Sequence, residues 1–105
     1  MIIRGGENIF PKEVEDVLIT HSKIAEVSVI GLPHERLGEE VCACIRLEEN
    51  CELTLQELSE FSKGKMAHFK IPTQMKLVKD FFKTGSGKIQ KYLLVKQFSE
   101  NASKN

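Results

Sequence analysis

Two stretches of alternating apolar and polar side chains constrain the fold of this chain most strongly. Apolar and polar residues alternate at every position of residues 25–29, and a Gly-Leu-Pro sequence follows at 31–33. In residues 41–47, Val, Ala, Ile and Leu share one face, and the opposite face carries Cys42, Cys44 and Arg46. A period of two is typical of a strand with one buried face. We therefore predict two half-buried strands, the first of which ends at the Gly-Leu-Pro sequence.

Three segments have helical signals. Pro11 fits the first position of a helix that ends near His21, with acidic residues close to its N-terminus. The sequence Thr-Leu-Gln-Glu at 54–57 is a capping box, because the threonine hydroxyl and the glutamate carboxylate can satisfy helix N-terminal amides. Residues 89–98 read as a last helix, and the polar residues 99–105 as a tail.

Two further segments complete the predicted architecture. Two glycines in the middle of residues 2–10 predict a short β-hairpin, and residues 75–78 can supply another strand. A strand that begins at residue 1 suggests a piece of a longer chain. The fold class is α+β: a small N-terminal β-hairpin plus a central sheet of about three strands packed with helices.

Composition excludes several classes of protein. The chain has 105 residues, 41% hydrophobic and 29% charged, which is typical of one ordinary globular domain. It has no apolar run of membrane-spanning length and no secretory signal, so we expect an intracellular protein. Its three cysteines and three histidines lack the spacing of a zinc site, so we expect free thiols and no bound metal.

The charges are unevenly distributed along the chain. Residues 1–60 have a net charge of −8 and residues 61–105 a net charge of +8, so the formal total is zero. Most charge runs only solvate a surface, but the second half also suggests a polyanion site. The lysines expected in its turns are Lys63, Lys65, Lys70, Lys83, Lys88 and Lys91. Composition alone leaves open whether the anion is nucleic acid or a phosphorylated small molecule.

A glycine-rich segment, Phe-Lys-Thr-Gly-Ser-Gly-Lys-Ile at 82–89, stands just before the predicted last helix. Glycines there allow backbone amides and the Lys88 ammonium to approach an anion closely. The segment is not a P-loop, because that motif needs a glycine at Phe82 and a hydroxyl residue at Ile89. By itself the motif is a weak signal, since a solvated turn has the same composition.

Four motifs, read in order, are more specific. They are Ile-Ile-Arg-Gly-Gly-Glu-Asn-Ile-Phe-Pro at 2–11, Val-Ile-Gly-Leu-Pro-His-Glu-Arg-Leu-Gly-Glu at 29–39, Phe-Lys-Ile-Pro at 69–72 and Lys-Thr-Gly-Ser-Gly-Lys-Ile-Gln-Lys at 83–91. Over residues 1–98 the chain resembles the C-terminal domain of the adenylate-forming enzymes. Within that superfamily it looks most like the medium-chain fatty acyl-CoA synthetases.

The resemblance implies a two-step reaction in a larger enzyme. A large N-terminal domain binds Mg-ATP and the carboxylic acid, and the small C-terminal domain is a movable lid. The carboxylate first forms an acyl-adenylate with release of pyrophosphate, after which the lid rotates and the CoA thiol displaces AMP. ATP and CoA are thus substrates of the complete enzyme, and the lid alone should bind neither stably and catalyse nothing. The missing N-terminal domain would be its main partner, and we expect the lid alone to be a monomer.

The resemblance also assigns site residues. Lys88 matches the lysine that contacts the carboxylate and nucleotide oxygens during adenylation. Gly5, Gly6 and Glu7 match the loop that replaces it after rotation and lines the pantetheine channel. Weaker matches place three residues near the CoA nucleotide, namely Leu37, Phe69 and Lys70. Leu37 replaces a tryptophan of some relatives, which weakens this nucleotide site, and Phe82 replaces a common proline.

The sequence leaves two alternative functions open. Another adenylate-forming subclass, such as an aryl-CoA ligase or a peptide-synthetase adenylation domain, would share the same lid. A small nucleic-acid-binding module would explain the lysines, but the sequence lacks the interleaved aromatic residues of an RNA-binding sheet, so we expect no nucleic-acid partner. By resemblance we expect a mitochondrial location, with the cytoplasm as the alternative.

Overall fold

A five-stranded sheet forms the centre of the computed structural model, which describes the backbone of residues 1–103 and the side chains through Ser99. The strands are β1 (Ile2–Arg4), β2 (Glu7–Ile9), β3 (Ile24–His34), β4 (Gly38–Leu47) and β5 (Gln74–Leu77). The helices are α1 (Pro11–Leu18), α2 (Leu55–Ser62) and α3 (Lys91–Ser103), with a 3₁₀ turn at His68–Lys70. The predicted α+β class is confirmed.

Strand β4 organises the sheet, whose order is β2-β1-β4-β3. It runs antiparallel to β3 along nearly its whole length. On its other side β4 pairs first with β1, where Arg4 lies opposite Gly38, and then in parallel with β5 over Cys42–Ile45. The N-terminal hairpin is therefore joined to the central sheet, whereas the sequence suggested a separate element.

The sheet is buried on both of its faces. Helices α1 and α2 pack on one face through Val14, Leu18 and Leu58, against a set that includes Val41, Ala43 and Ile45. On the other face Cys42 and Cys44 pack with side chains that include Ile30, Leu32, Phe81, Leu94 and Phe98. The prediction of half-buried strands is wrong for this second face, because α3 and its preceding segment cover it.

The end of β3 was also predicted wrongly. The strand continues through the Gly-Leu-Pro sequence to His34, and Pro33 lies opposite Glu39. Proline lacks an N–H group, but β3 is the edge of the described sheet and has one neighbouring strand. An edge strand tolerates proline because half of its backbone groups need no partner in the sheet.

The helix boundaries follow local signals more closely. The amide of Glu57 donates to the Thr54 hydroxyl at 3.1 Å, which confirms the N-terminal cap of α2. Helix α1 begins at Pro11 as predicted. Helix α3 begins at Lys91 and continues to Ser103, so it starts after Ile89 and extends into the predicted tail, of which residues 104–105 lie outside the described chain.

Candidate functional site

The hairpin turn, Arg4–Glu7, reverses the chain between β1 and β2. Gly5 has φ of 57° and Gly6 φ of 84°, and Arg4 pairs with Glu7. Two consecutive positive φ angles are typical of a type I′ turn, which glycine adopts without steric cost. A Cβ added to Gly6 would meet no atom within 4 Å, so the turn is open to its surroundings at that position.

Leu37 and Phe69, which the resemblance places near the CoA nucleotide, lie beside the hairpin turn. The Gly5 amide donates to the Leu37 carbonyl at 2.8 Å, and a Cβ on Gly5 would lie 3.4 Å from the Leu37 side chain. The Arg4 guanidinium donates to the Phe69 carbonyl at 3.3 Å. The structure thus brings the second and third sequence motifs together with the first.

Lys70 follows Phe69 but is engaged elsewhere. Its ammonium lies 2.6 Å from a carboxylate oxygen of Glu13 on α1 and 5.7 Å from the centre of the Phe69 ring. The Phe69 ring itself is partly buried against the core. Both side chains therefore contribute to the domain's own packing at the place where the sequence suggested nucleotide contacts.

The glycine loop, which we define as Lys83–Ile89, folds back on itself. Lys83 forms an antiparallel bridge with Ile89, and the Thr84 amide donates to the Lys88 carbonyl at 2.8 Å. The Lys88 amide in turn donates to the Thr84 hydroxyl at 3.2 Å. The sequence predicted that the last helix begins at residue 89, directly from this loop. In the structure α3 begins only at Lys91, so the loop is a small hairpin that does not itself start a helix.

Lys88 stands exposed at the end of this loop. It borders an open cleft of about 730 Å³ whose other walls include Thr84, Glu15, Glu26, Ser28 and Tyr92. Within the described part of the chain its ammonium has neither an ion-pair partner nor an aromatic ring beneath it. The ammonium is available to an anion that approaches from outside the domain.

The other five lysines that were expected in turns have contacts within the domain. Four form ion pairs, namely Lys63 with Glu60, Lys70 with Glu13, Lys83 with Glu26 and Lys91 with Glu15. Lys65 lies 4.4 Å from the centre of the Phe61 ring and donates to the Phe61 carbonyl. The opposite charges of the two halves thus meet inside the fold, and these lysines do not combine into one broad cationic surface.

Glu26 holds two cations at the base of the glycine loop. One oxygen accepts a hydrogen bond from the Arg46 guanidinium and the other forms an ion pair with the Lys83 ammonium, both at 2.8 Å. These contacts, that with Lys83 foremost, lower the pKa of the Glu26 carboxyl below its ordinary value. In the sequence Glu26 belongs only to the polar face of a predicted strand. No local sequence pattern predicts its ion pair with Lys83.

Glu15 joins three elements on another side of the same cleft. Its carboxylate accepts from the Val29 amide on β3 at 2.8 Å and from the Lys91 ammonium on α3 at 2.7 Å. Lys91 also donates to the Val29 carbonyl at 3.0 Å. Helix α1 is thereby bonded to both β3 and α3 at the cleft that Lys88 borders.

The remaining chemical groups suggest no second site. Cys42, Cys44 and Cys51 are free thiols, and contact with Cys42 together with burial raises the pKa of Cys44. The described residues contain no group of three or more His, Cys, Asp or Glu side chains placed to hold a metal ion. None of the helices within residues 1–103 is long and apolar enough to cross a membrane.

Comparison with known proteins places this arrangement in a family. Residues 13–88 match the family described as the AMP-binding enzyme C-terminal domain. The chain belongs to this family, which confirms the resemblance found in its motifs.

The relatives that the chain matches along most of its length include acyl-CoA ligases and synthetases. The chain is 52% identical over 101 residues to the human mitochondrial medium-chain acyl-CoA ligase ACSF2, covering 96% of this chain and 16% of the human protein. It is 54% identical over 94 residues to the corresponding ligase of Danio rerio. The structure of a Mycobacterium tuberculosis fatty acyl-CoA synthetase superimposes with a TM-score of 0.89 at 37% identity, over 96% of this chain and 20% of that one. The chain thus spans about one sixth of the curated relatives it matches.

Proposed function

We propose that this chain is the mobile C-terminal lid of an ATP-dependent fatty acyl-CoA ligase. In the first half-reaction a carboxylate oxygen attacks the α-phosphorus of ATP, and pyrophosphate leaves. In the second, the CoA sulfur attacks the acyl carbon, and AMP leaves. The observation that carries the proposal is the presence of two exposed glycine turns in a member of this family, one with an unpaired lysine and one without obstructing side chains.

Lys88 would act in the first half-reaction. Negative charge builds up on the phosphate oxygens as the carboxylate attacks, and an ammonium group held nearby stabilises that charge. At about 4 Å and an effective dielectric near 20, one such contact is worth on the order of 4 kcal/mol before desolvation. Lys88 suits this role because no carboxylate within the described residues already neutralises it.

The hairpin turn would act in the second half-reaction. After the lid rotates, Gly5, Gly6 and Glu7 would lie along the path by which the pantetheine thiol reaches the adenylate. The open space around the Gly6 α-carbon fits a channel wall, because a side chain there would project into the path. Leu37, Phe69 and Lys70 would then lie toward the CoA nucleotide, with Lys70 leaving Glu13 if it contacts phosphate.

Substrate choice and location would follow the relatives. The acid is proposed to be a medium-chain fatty acid and the location the mitochondrion, because the human and Danio rerio ligases carry both descriptions in their names. Mg-ATP and CoA are the other substrates. The missing N-terminal domain would supply the ATP and acid sites, so the chain alone should show no turnover.

A domain exchange tests the proposal without knowledge of any residue beyond this chain. Residues 1–105 would replace the matching C-terminal segment of the human ligase, and the fusion would be assayed with ATP, CoA and octanoate. We expect the fusion to release pyrophosphate and form octanoyl-CoA, whereas the 105-residue chain alone forms neither. A fusion with a normal thermal melt but no pyrophosphate release would contradict the proposal, as would turnover by the isolated chain.

Aryl and dicarboxylic acids should be tested in the same assay. The acyl pocket belongs to the human part of the fusion, so acid preference there should stay that of the human enzyme. A shift toward another acid would show that the lid contributes to selection and would favour a different adenylate-forming subclass for its natural parent.

A further inference from the structure

The carboxylate of Glu26 connects the central sheet with the base of the glycine loop. It projects from β3, and its neighbour across the strands is Arg46 on β4, to which one of its oxygens is bonded. The other oxygen lies 2.8 Å from the Lys83 ammonium. The Glu26 side chain is 24% exposed and that of Lys83 is 35% exposed, so water screens the contact only in part.

Lys83 is the first residue of the loop whose other side carries Lys88. It pairs with Ile89, and the flanking bonds run from the Gln90 amide to the Phe82 carbonyl and from the Thr84 amide to the Lys88 carbonyl. The position of Lys83 is therefore coupled to that of Lys88 through the backbone hydrogen bonds of the loop.

The rest of the loop has few contacts to hold it. A Cβ added at Gly85 or Gly87 would meet no atom within 4 Å, so the tip does not pack against the domain. Thr84 and Ser86 bond to each other through their hydroxyls, and not to the sheet. Apart from the partly buried Ile89 side chain, the loop is held to β3 in the described chain by the ion pair of Glu26 with Lys83.

We propose that Glu26 is a positioning residue for adenylation, which orients the Lys88 ammonium by holding the glycine loop against β3 through Lys83. The proposal rests on the function proposed above. Glu26 also neutralises Lys83, so that Lys88 is the ammonium of the loop that remains free for the nucleotide. A loop that moves loosely would present Lys88 in many orientations, and a transition state is stabilised best by a charge already in place.

The first arm of the test measures the loop itself. Hydrogen exchange of the Thr84 and Gln90 amides would be followed in the 105-residue chain, in Glu26→Gln and in Lys83→Met. Glu60→Gln is the matched control, because it breaks the exposed pair with Lys63 far along the chain. We expect both loop variants to raise exchange at these amides by about fivefold, with β4 amides and the control unchanged. Unchanged loop exchange would overturn the proposal.

The second arm measures the two half-reactions in the domain-exchange fusion. We expect Glu26→Gln to slow acyl-adenylate formation by about fivefold at unchanged KM for ATP, and to leave thioester formation from supplied acyl-adenylate intact. The double variant with Lys83→Met should be no slower than Glu26→Gln alone, because Glu26→Gln already removes the contact with Lys83. Equal loss in both half-reactions, or additive losses, would overturn the positioning role.

The two arms separate this inference from the proposed function. An unsubstituted fusion that folds but does not form acyl-adenylate would refute the proposed function. Hydrogen exchange of the loop amides in the isolated chain does not depend on catalysis. If Glu26 does not hold the glycine loop, the first arm alone would show it.

Discussion

The hairpin turn and the glycine loop are both tight reversals built on glycines with positive φ, yet they are anchored by different forces. The strands of the hairpin place Ile2 and Ile9 in the core, at 2% and 0% exposure, so apolar burial fixes the turn. The glycine loop has only the half-buried Ile89 at its base and is tied to β3 through Lys83 and Glu26. The hairpin turn is proposed as a passive channel wall, so its strands can be part of the core. The glycine loop carries an ammonium group proposed to contact a ligand, so that group must lie outside the core.

The largest expected effect comes from the exposed side of this comparison. In the domain-exchange fusion, Lys88→Ala should slow acyl-adenylate formation by about 10²–10³-fold, the loss expected when one preorganised charge contact is removed. Thioester formation from supplied acyl-adenylate should change far less, because Lys88 would have rotated away. Equal slowing of both half-reactions would contradict the assignment of the glycine loop to adenylation and of the hairpin turn to thioester formation.

The next effect tests the anchoring of the hairpin. Ile9→Ala should lower the free energy of unfolding by about 2–3 kcal/mol, because it removes a fully buried side chain shared by hairpin and core. Ile89→Ala, at the base of the glycine loop, should cost less than about 1 kcal/mol, since that side chain is only partly buried. Urea unfolding of both variants measures the difference, and equal losses would remove the distinction between the two anchors.

A smaller effect is expected at the tip of the hairpin. In the fusion, Gly6→Leu should slow thioester formation by about tenfold and spare adenylation, because the side chain would enter the thiol's path. Gly64→Leu is the control, since Gly64 has φ of 79° and an equally open α-carbon but lies after α2. If both variants behave alike, backbone strain and not channel obstruction is the cause.

The smallest effect concerns the pH dependence of the ionic anchor. The pKa of Glu26 is lowered in the folded chain, so its contribution to stability is present above the ordinary value of 4.5 and is lost as pH falls through the folded pKa. Lys83 and Arg46 are the cations that face it. Glu26→Gln should therefore be less stable than the natural chain by under about 1 kcal/mol at pH 7, and this gap should narrow as the pH is lowered toward 3. Urea unfolding at both pH values would show a constant gap if the pair contributed nothing.

The sequence predicted those parts of the fold that depend on neighbouring residues. The Thr54 cap, the proline start of α1 and the two-glycine turn each need only a few adjacent side chains. The burial of Cys44 could not be predicted, because the helix that covers it comes from the distant end of the chain. The continuation of β3 through Pro33 likewise depends on its place at the sheet edge.

In the candidate site, too, residues in local motifs could be predicted from the sequence, whereas contacts between distant residues could not. Lys88, Gly5 and Gly6 can be proposed as site residues from the sequence, because they lie in compact motifs that resemble those of a known family. Glu26 was missed because its partner Lys83 is far away in sequence and strands contain many glutamates on their polar faces. Sequence motifs located the groups proposed to touch substrate, and only the fold revealed the group that holds one of them in place.

The arrangement of charges also has a consequence for synthesis of the chain. Glu13, Glu15 and Glu26 leave the ribosome before their partners, because Lys70, Lys83 and Lys91 all belong to the second half. When synthesis has reached residue 60, residues 1–60 of the domain carry a net charge of −8 and helix α3 is still absent, so one face of β4 is uncovered. Folding of this domain is therefore completed late in translation. A product truncated before Lys83 would leave Glu15 and Glu26 without their lysine partners and would expose the apolar surface that α3 normally covers.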